Sequence, residues 1–306
     1  MISVCIPLYN TDIRALVSSL EKQISKLRPA GELIVIDDAS DEGFKRINRN
    51  VCERHNYIEL SENVGRARIR NLFVDHARFD HLVFLDCDSL IPSDDFLSRY
   101  GIEIQQEVVP DVIVGGRVYS IRKPSPSCRL RWKYGVKREN KTAEIRNVAP
   151  YNAFLSNNFL IKKEILARDP FDERLSGYGH EDTLFSWRLM KNEVSILHID
   201  NPVINGDVEE APVFLAKTTE SIDNLRKIQN FLAEDPEFLQ RIALLRCYKK
   251  IVPFRNFVAF VFDIFRPLIT FMFTKGIVVL FLFDFYKLGV YLKAEKGQYP
   301  YENDDR

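Results

Sequence analysis

Three acidic stations follow one another along the chain, and their order suggests chemistry on a phosphorylated ligand. Asp37-Asp38 closes the apolar run Leu33-Ile34-Val35-Ile36, and Asp86-Cys87-Asp88 closes Leu82-Val83-Phe84-Leu85. Glu181-Asp182 opens an amphipathic segment after Gly177-Tyr178-Gly179-His180. An open α/β sheet builds its ligand site where strands release side chains at their carboxyl ends. Two carboxylates at i and i+2 on such an end can hold a divalent cation against a pyrophosphate, because hard cations select oxygen ligands. A third carboxylate, delivered much later, is then available as a general base. Together these are the parts for moving a sugar from a nucleotide diphosphate to a hydroxyl.

Those groups need a scaffold that brings strand ends together. Ile2–Pro7, Leu33–Ile36, Tyr57–Leu60 and Leu82–Asp86 read as strands. Asp12–Leu27, Val64–His76 and Asp94–Gln106 read as the helices between and after them, with apolar residues at helical spacing in the first (Ile13, Leu16, Val17, Leu20, Ile24). Continuous apolar strands between helices predict a mostly parallel sheet covered on both faces. Val112–Gly116, Ser156–Ile161 and Val194–His198 are further strands, and Asp182–Lys191 and Ala211–Ala233 further helices. Segment 120–152, punctuated by Pro124, Pro126, Gly135 and Pro150, reads as a long excursion of the lid or binding-loop kind.

The 306 residues carry 43 basic and 43 acidic side chains, a balance that gives no reason to expect nucleic acid. One stretch departs from it: between Arg117 and Lys141 nine basic residues face Glu139 alone. That stretch is either a solvated loop or a mobile basic loop over an anionic substrate or lipid. The five cysteines show no C-x-x-C spacing and read as free thiols of a reducing compartment. Ile2-Ser3-Val4-Cys5-Ile6 already looks like a first strand, so no signal peptide is expected and the catalytic part should be cytoplasmic. From Ile251 to Leu292 the chain is dense in Phe, Val, Leu and Ile, with Arg255, Asn256, Asp263 and Arg266 on one narrow stripe. Pro267 should interrupt that helix, and Asp284, Lys287 and Tyr291 mark a second stripe. Pro267–Phe283 contains Lys275 and is shorter than the roughly 20 residues of a spanning helix. A helical hairpin lying in the membrane interface is therefore expected, against a helical pair packed on the catalytic domain or forming a dimer interface. The expected organisation is residues 1–210 catalytic, 211–250 a helical connector and 251–306 an apolar helical extension.

Across Ile2 to Val208 the chain resembles the inverting family-2 glycosyltransferases of the GT-A fold. Four segments carry the resemblance: Val4-Cys5-Ile6-Pro7-Leu8-Tyr9-Asn10, Val35-Ile36-Asp37-Asp38-Ala39-Ser40-Asp41, Asn63-Val64-Gly65-Arg66-Ala67-Arg68-Ile69-Arg70-Asn71 and Phe84-Leu85-Asp86-Cys87-Asp88. Gly177-Tyr178-Gly179-His180-Glu181-Asp182 adds the GxGxED element of some galactosyl- and N-acetylgalactosaminyltransferases. The resemblance implies a Rossmann-like sheet, a nucleotide-diphospho-sugar donor, most simply UDP-linked, and a Mg²⁺ or Mn²⁺ cofactor. It implies Asp182 as base and Glu181 as acceptor ligand. It places Pro7, Tyr9, Asn10, Asp38, Gly65, Arg70 and Asp86 around the donor, with Asp88 on the metal and Asp86 on ribose or a metal-bound water.

Alternatives stand beside several of these roles. Asp38 could instead make an Asx-turn that caps a helix, and Glu181-Asp182 could be simply two acids favourable at a helix N-terminus. Relatives place a metal-binding His after a strand, in a segment like NPVxH. Asn201-Pro202-Val203-Ile204-Asn205 puts Asn205 there, a weaker ligand than imidazole, and His198 lies seven residues earlier. The acceptor is expected to be a glycan or lipid-linked hydroxyl of surface-polysaccharide assembly, reached from the inner face of the cell membrane. The rival reading is a catalytically weakened sugar-nucleotide-binding or scaffold protein. A nucleotidyltransferase ranks last, because Pro7-Leu8-Tyr9-Asn10 lacks a Gly-rich triphosphate loop.

Overall fold

The computed structural model describes residues 1–27, 31–206, 208–232 and 235–295. Strand and helix alternate through β1 (Ile2–Leu8), α1 (Arg14–Ile24), β2 (Gly31–Asp37), α2 (Glu42–Val51), β3 (Asn56–Glu59), α3 (Gly65–His76) and β4 (His81–Leu85). Next come a short β5 (Ser89–Leu90), α4 (Phe96–Glu103), β6 (Val112–Val114) and β7 (Arg117–Val118). The helices α5 (Arg129–Tyr134) and α6 (Ala143–Asn147) precede β8 (Asn158–Lys162), α7 (Lys163–Arg168), α8 (Glu181–Lys191), β9 (Ile196–His198) and β10 (Val203–Asn205). The rest is helical: α9 (Ala211–Phe231), α10 (Pro236–Arg241), α11 (Ala243–Ile251), α12 (Arg255–Thr274) and α13 (Leu280–Glu295). Ala233, the expected end of the α9 helix, and residues 296–306 of the expected extension lie outside the described residues.

These elements form two compact units. The first comprises Met1–Ile121, Gly135–Ser176 and Glu181–Asp207; the second Arg122–Tyr134, Gly177–His180 and the described part of Val208–Arg306. In the first, seven strands run in the order β3-β2-β1-β4-β8-β6-β9, and β8 alone is antiparallel to its neighbours β4 and β6. The strand sequences are apolar on both faces because both faces are covered. Val4, Ile6, Leu8, Val35, Val83 and Leu85 pack with Leu16, Val17, Phe96 and Tyr100 of α1 and α4. Cys5, Ile34, Ile36 and Phe84 point the other way, toward Ile69 and Phe73 of α3 and Phe185 of α8. Stacked rings line that second face, Phe84 on Phe159 at 5.0 Å and Phe171 on Phe185 at 3.9 Å.

A second sheet, β5-β10-β7, sets Asn205 opposite Ser89. Gly206 N–H then donates to the Asp88 carbonyl at 3.2 Å, and a Cβ at 206 would stand 2.5 Å from that oxygen, so the backbones meet where a side chain has no room. The thiols of this unit are enclosed: Cys5 and Cys52 are buried and Cys87 is partly so.

Segment 120–152 is not a bare excursion. It winds into α5, a π-helical turn over Gly135–Glu139 and α6. Pro126 and Pro150 start 3₁₀ turns there, and Gly135 lies against the Tyr119 ring, where a Cβ would be 2.2 Å from it. The buried Arg146 guanidinium anchors α6 by donating to the carbonyls of Val114 (3.1 Å), Gly115 (3.1 Å) and Ile199 (2.7 Å) and to Nδ1 of His198 (2.9 Å). Nε2 of His198 donates to the Pro150 carbonyl at 2.9 Å, and burial holds the imidazole down at about 4. Both ring nitrogens are engaged, so His198 is a structural residue rather than a metal ligand.

Pro267 does not interrupt its helix either. α12 runs through it, with Pro267 on the exposed side. Ala243–Thr274 is in consequence a stretch long and apolar enough, by length and composition, to cross a membrane. One side of α12 packs Ala259, Phe262, Ile269 and Phe273 inward, and Gly289 of α13 accommodates the Phe262 ring where a Cβ would be 2.2 Å away. Lys293–Asp263 (2.6 Å) and Arg255–Glu295 (3.3 Å) tie the two helices together. The other side exposes Phe257, Phe260, Ile264, Leu268 and Phe271.

Asn158 shows what a satisfied buried amide is worth here. It accepts from the Tyr100 hydroxyl at 2.7 Å and donates to the Gly116 and Asn201 carbonyls at 2.9 and 2.8 Å. Asn158→Ala removes all three bonds, leaving Gly116 only its bond from Val203 N–H, and urea unfolding should show a loss of about 3 kcal/mol.

Candidate active site

The carboxyl ends of β1, β2 and β4 lie side by side, and their loops are cross-tied. Asn10, at φ +44°, donates its N–H to Ser40 Oγ (2.8 Å), while its Oδ1 accepts from Asp41 N–H (2.7 Å). Asn48 of α2 holds the same loop, accepting from Ile13 N–H (3.2 Å) and donating to the Thr11 carbonyl (2.8 Å). Asp37 accepts from Ser40 N–H and the Tyr57 hydroxyl, so it serves the loop. Pro7, one residue before the end of β1, is half-buried, and Tyr9 just beyond it is 51% exposed, its ring open to a planar partner.

Asp38 does cap a helix, though a distant one. Its two oxygens accept from Val64 N–H (2.6 Å) and Gly65 N–H (3.0 Å) at the start of α3, and the side chain is buried. Burial pushes its pKa up, while the two amides offset part of that. Gly65 takes φ +83° there with open space above it, which admits a close ligand approach.

The two carboxylates of Asp86-Cys87-Asp88 stand in a turn beyond the strand end. β4 stops at Leu85, and Ser89 N–H donates to the Asp86 carbonyl at 3.0 Å. Asp86 meets two arginines: Arg70 Nη2 at 3.0 Å and Arg117 Nη2 at 3.5 Å. Arg117 also reaches Glu139 at 3.6 Å, which the Tyr119 hydroxyl binds in turn. Arg70 is buried, donates to the Arg66 carbonyl at 2.9 Å and lies over the Phe171 ring at 5.6 Å. Its Nη1 stands 4.0 Å from Glu181 Oε1, and Arg66 Nη1 approaches the same oxygen at 4.0 Å. Arg70 is therefore the brace that joins the turn after β4 to the start of α8, not an exposed phosphate contact. Arg117, Glu139 and Tyr119 escaped the sequence reading because they sat inside a run that looked merely basic.

Glu181 and Asp182 open α8, with Glu181 buried. Asp182 Oδ1 accepts from Thr183 N–H at 2.7 Å. Burial, and secondarily the neighbouring Glu181 charge, push Asp182 from its ordinary range up to about 7; Thr183 and Arg70 pull the other way. A carboxyl so placed exchanges a proton near neutrality, the requirement of a general base. The residues just before, Gly177–His180, belong to the second unit. Gly177, Gly179 and His180 all have positive φ, and Asn224 Nδ2 donates to the Tyr178 and Gly179 carbonyls at 3.3 and 3.1 Å. Cβ atoms at Gly177 and Gly179 would strike Glu220 and Ser221, so both positions need glycine.

Among the described residues no three His, Cys, Asp or Glu side chains gather as a metal-binding set. What is present suits a cation that borrows ligands. Burial and the Asp86 charge push the pKa of Asp88 up, with Arg117 and Arg66 opposing, so added positive charge there relieves a disfavoured carboxylate. Asn205 stands in the strand register beside Ser89. Mg²⁺ is commonly held by one or two carboxylates and completed by phosphate oxygens and waters. Asp88 and Asn205 fit that pattern; Asp86 is already answered by arginines.

A mostly parallel sheet that empties acidic turns at its carboxyl edge defines an α/β enzyme fold built for a nucleotide ligand. Residues 3–166 match Glycosyl transferase family 2, and the chain belongs to that family. Its fold is GT-A. A mannosyltransferase from Pyrobaculum calidifontis, solved with GDP-Man and Mn²⁺, superposes with a TM-score of 0.62 at 16% identity, over 98% of this chain and 88% of that one. S. aureus TarS 1-349 in complex with UDP gives 0.51 at 21% identity, over 97% and 92%. An uncharacterized glycosyltransferase of Haemophilus influenzae is 28% identical over 115 residues, 36% of this chain and 44% of the relative, so the match spans under half of that protein.

The raised pKa of Asp182 has a cost in stability. The folded state keeps a proton that the unfolded chain has lost, so this group favours folding at low pH and loses that effect as pH rises through about 7. Asp182→Asn should melt above wild type at pH 8, with the gap closing toward pH 5 in thermal scans.

Proposed function

We propose that this chain is an inverting, metal-dependent glycosyltransferase that moves a hexosyl group from a nucleotide-diphospho-sugar to a glycan or lipid-linked hydroxyl. The observation that carries the proposal is a carboxyl poised near neutrality, Asp182, joined through Glu181 and Arg70 to the acidic turn after β4. In this reading Asp182 takes the acceptor proton and Glu181 orients the acceptor. The hydroxyl attacks the anomeric carbon in line, the glycosidic bond to the diphosphate breaks, and the configuration inverts. Tyr9 and Pro7 stack the base, with Asn10 and Asp38 shaping its loop and Gly65 admitting the ligand backbone. Asp88 and Asn205 hold the divalent cation, whose chemistry is to neutralise the leaving diphosphate. Arg70 and Asp86 keep the pieces in register. A UDP-linked donor is the simplest choice, since solved proteins of this fold carry UDP as well as GDP-Man.

The acceptor side of the proposal rests on the second unit. The exposed aromatic side of α12, with Phe257 68% and Phe260 62% accessible, is flanked by Lys249, Lys250 and Lys275. Apolar rings beside lysines suit the anionic inner face of a cell membrane, where a lipid-linked acceptor of surface-polysaccharide assembly would reside. Asn205 in place of a histidine supports one rival, a binding protein of the same fold with weakened catalysis.

Release of nucleotide diphosphate from a panel of UDP- and GDP-sugars with Mn²⁺ decides between the two. The enzyme should show kcat/KM rising with pH to a plateau above about 7, because only the ionised base works. Asp182→Asn should lower turnover at least a hundredfold with donor affinity kept. Binding without release, at every pH and with lipid extract added, would establish the rival instead. Separately, wild type should sediment with vesicles of phosphatidylglycerol and phosphatidylethanolamine, and Phe257→Glu/Phe260→Glu should stay in the supernatant; equal partition of the two would remove the membrane role.

A further inference from the structure

Two adjacent asparagines at the head of β8 behave oppositely. Asn158 is fully bonded, as described. Asn157 is only 3% exposed, yet neither its Nδ2 nor its Oδ1 has a hydrogen-bond partner. A buried amide left so costs free energy at both ends, and such orphans call for a reason. Register supplies its location. Leu85 pairs with Asn158 across β4 and β8, and the Asp86 N–H donates to the Asn157 carbonyl at 3.0 Å, so residue 157 stands opposite Asp86. Asn157 is the turn residue just before β8, two positions from Phe159, whose side of the sheet is packed by α3 and α8. Arg70 and Glu181 belong to those two helices, and the Nε of Arg70 is a second buried group without a partner.

Resting on the glycosyltransferase reading above, we infer that Asn157 is a specificity-determining residue whose amide binds a hydroxyl of the transferred sugar. The missing partner must both accept from Nδ2 and donate to Oδ1. An ionised diphosphate oxygen accepts only, so the leaving group does not suffice. A sugar hydroxyl does both. The reading above gives the nucleobase end of the ligand to the β1 and β2 loops, whereas Asn157 is tied by its carbonyl to Asp86 of the acidic turn. A site built to bond a hydroxyl discriminates strongly against ligands that lack it, because its own polar atoms are then stranded.

Asn157→Leu keeps the branching and the number of side-chain heavy atoms and breaks no existing side-chain hydrogen bond; Asn157→Ser repeats the test with a smaller group. Titration calorimetry of wild type and both variants with Mn²⁺ would compare UDP, UDP-glucose, UDP-galactose, UDP-N-acetylglucosamine, GDP and GDP-mannose. The affinity ratio of the preferred sugar nucleotide to its bare diphosphate should fall about tenfold in Asn157→Leu, with affinity for the bare diphosphate unchanged. An unchanged ratio would mean that Asn157 holds a water or nothing, and would overturn the inference alone. A tenfold loss for the bare diphosphate as well would make it a nucleotide contact and overturn it too. No binding of any nucleotide by wild type would sink the glycosyltransferase reading with it.

Discussion

The site depends on one buried cation. Arg70 places a guanidinium among carboxylates that would otherwise repel one another, Asp86 on one side and Glu181 on the other. A charge with so little solvent is tolerable only when paired, and removing it would leave its partners buried and uncompensated. Arg70 rides on α3, whose first amides are held by Asp38 from the end of β2. The base-side loops, the turn after β4 and the start of α8 are thereby coupled through a single short helix. Asp38 and Arg70 are thus best understood as the two fastenings of that helix.

The frame was legible because its strands obey simple rules. β1, β2 and β4 are short apolar runs ended by acids, and a strand buried on both faces has no other way to read. The edge positions were legible for the same reason. Local punctuation misled where tertiary contacts overruled it. Pro126, Gly135 and Pro150 suggested a loose excursion, but a buried Arg146 with four bonds to β6 and β9 pays for ordered turns there. Pro267 suggested a break, yet its ring faces outward and the helix absorbs it. The Asp86–Asp88 turn and the roles of Arg117 and Asn157 depend on partners far along the chain. No periodicity encodes such partners.

Departures from ordinary backbone and side-chain chemistry cluster at this edge of the sheet. Asn10 and Ala39 hold positive φ at the ends of β1 and β2, at +44° and +58°. Asp88 and Asp182 are carboxyls displaced from their usual acidity by burial and a like-charged neighbour. Asn157 and Arg70 carry buried atoms without partners. Each is unfavourable by itself, and the apolar layers on both sides of the sheet offset them together. Proteins concentrate such costs where a ligand will repay them.

The enclosed thiols have a consequence for how the molecule meets oxidants. Burial pushes Cys5 and Cys52 well up, Cys52 to about 12, and burial with Asp88 and Asp86 nearby does the same to Cys87. Thiolate is the reactive form, so the three cysteines of the first unit are muted toward peroxide, maleimides and disulfide exchange. Cys247, on α11 of the second unit, is open to solvent. A thiol-directed fluorophore would therefore mark the second unit, at exposed Cys247 ahead of partly exposed Cys128, and leave the sheet chemically silent.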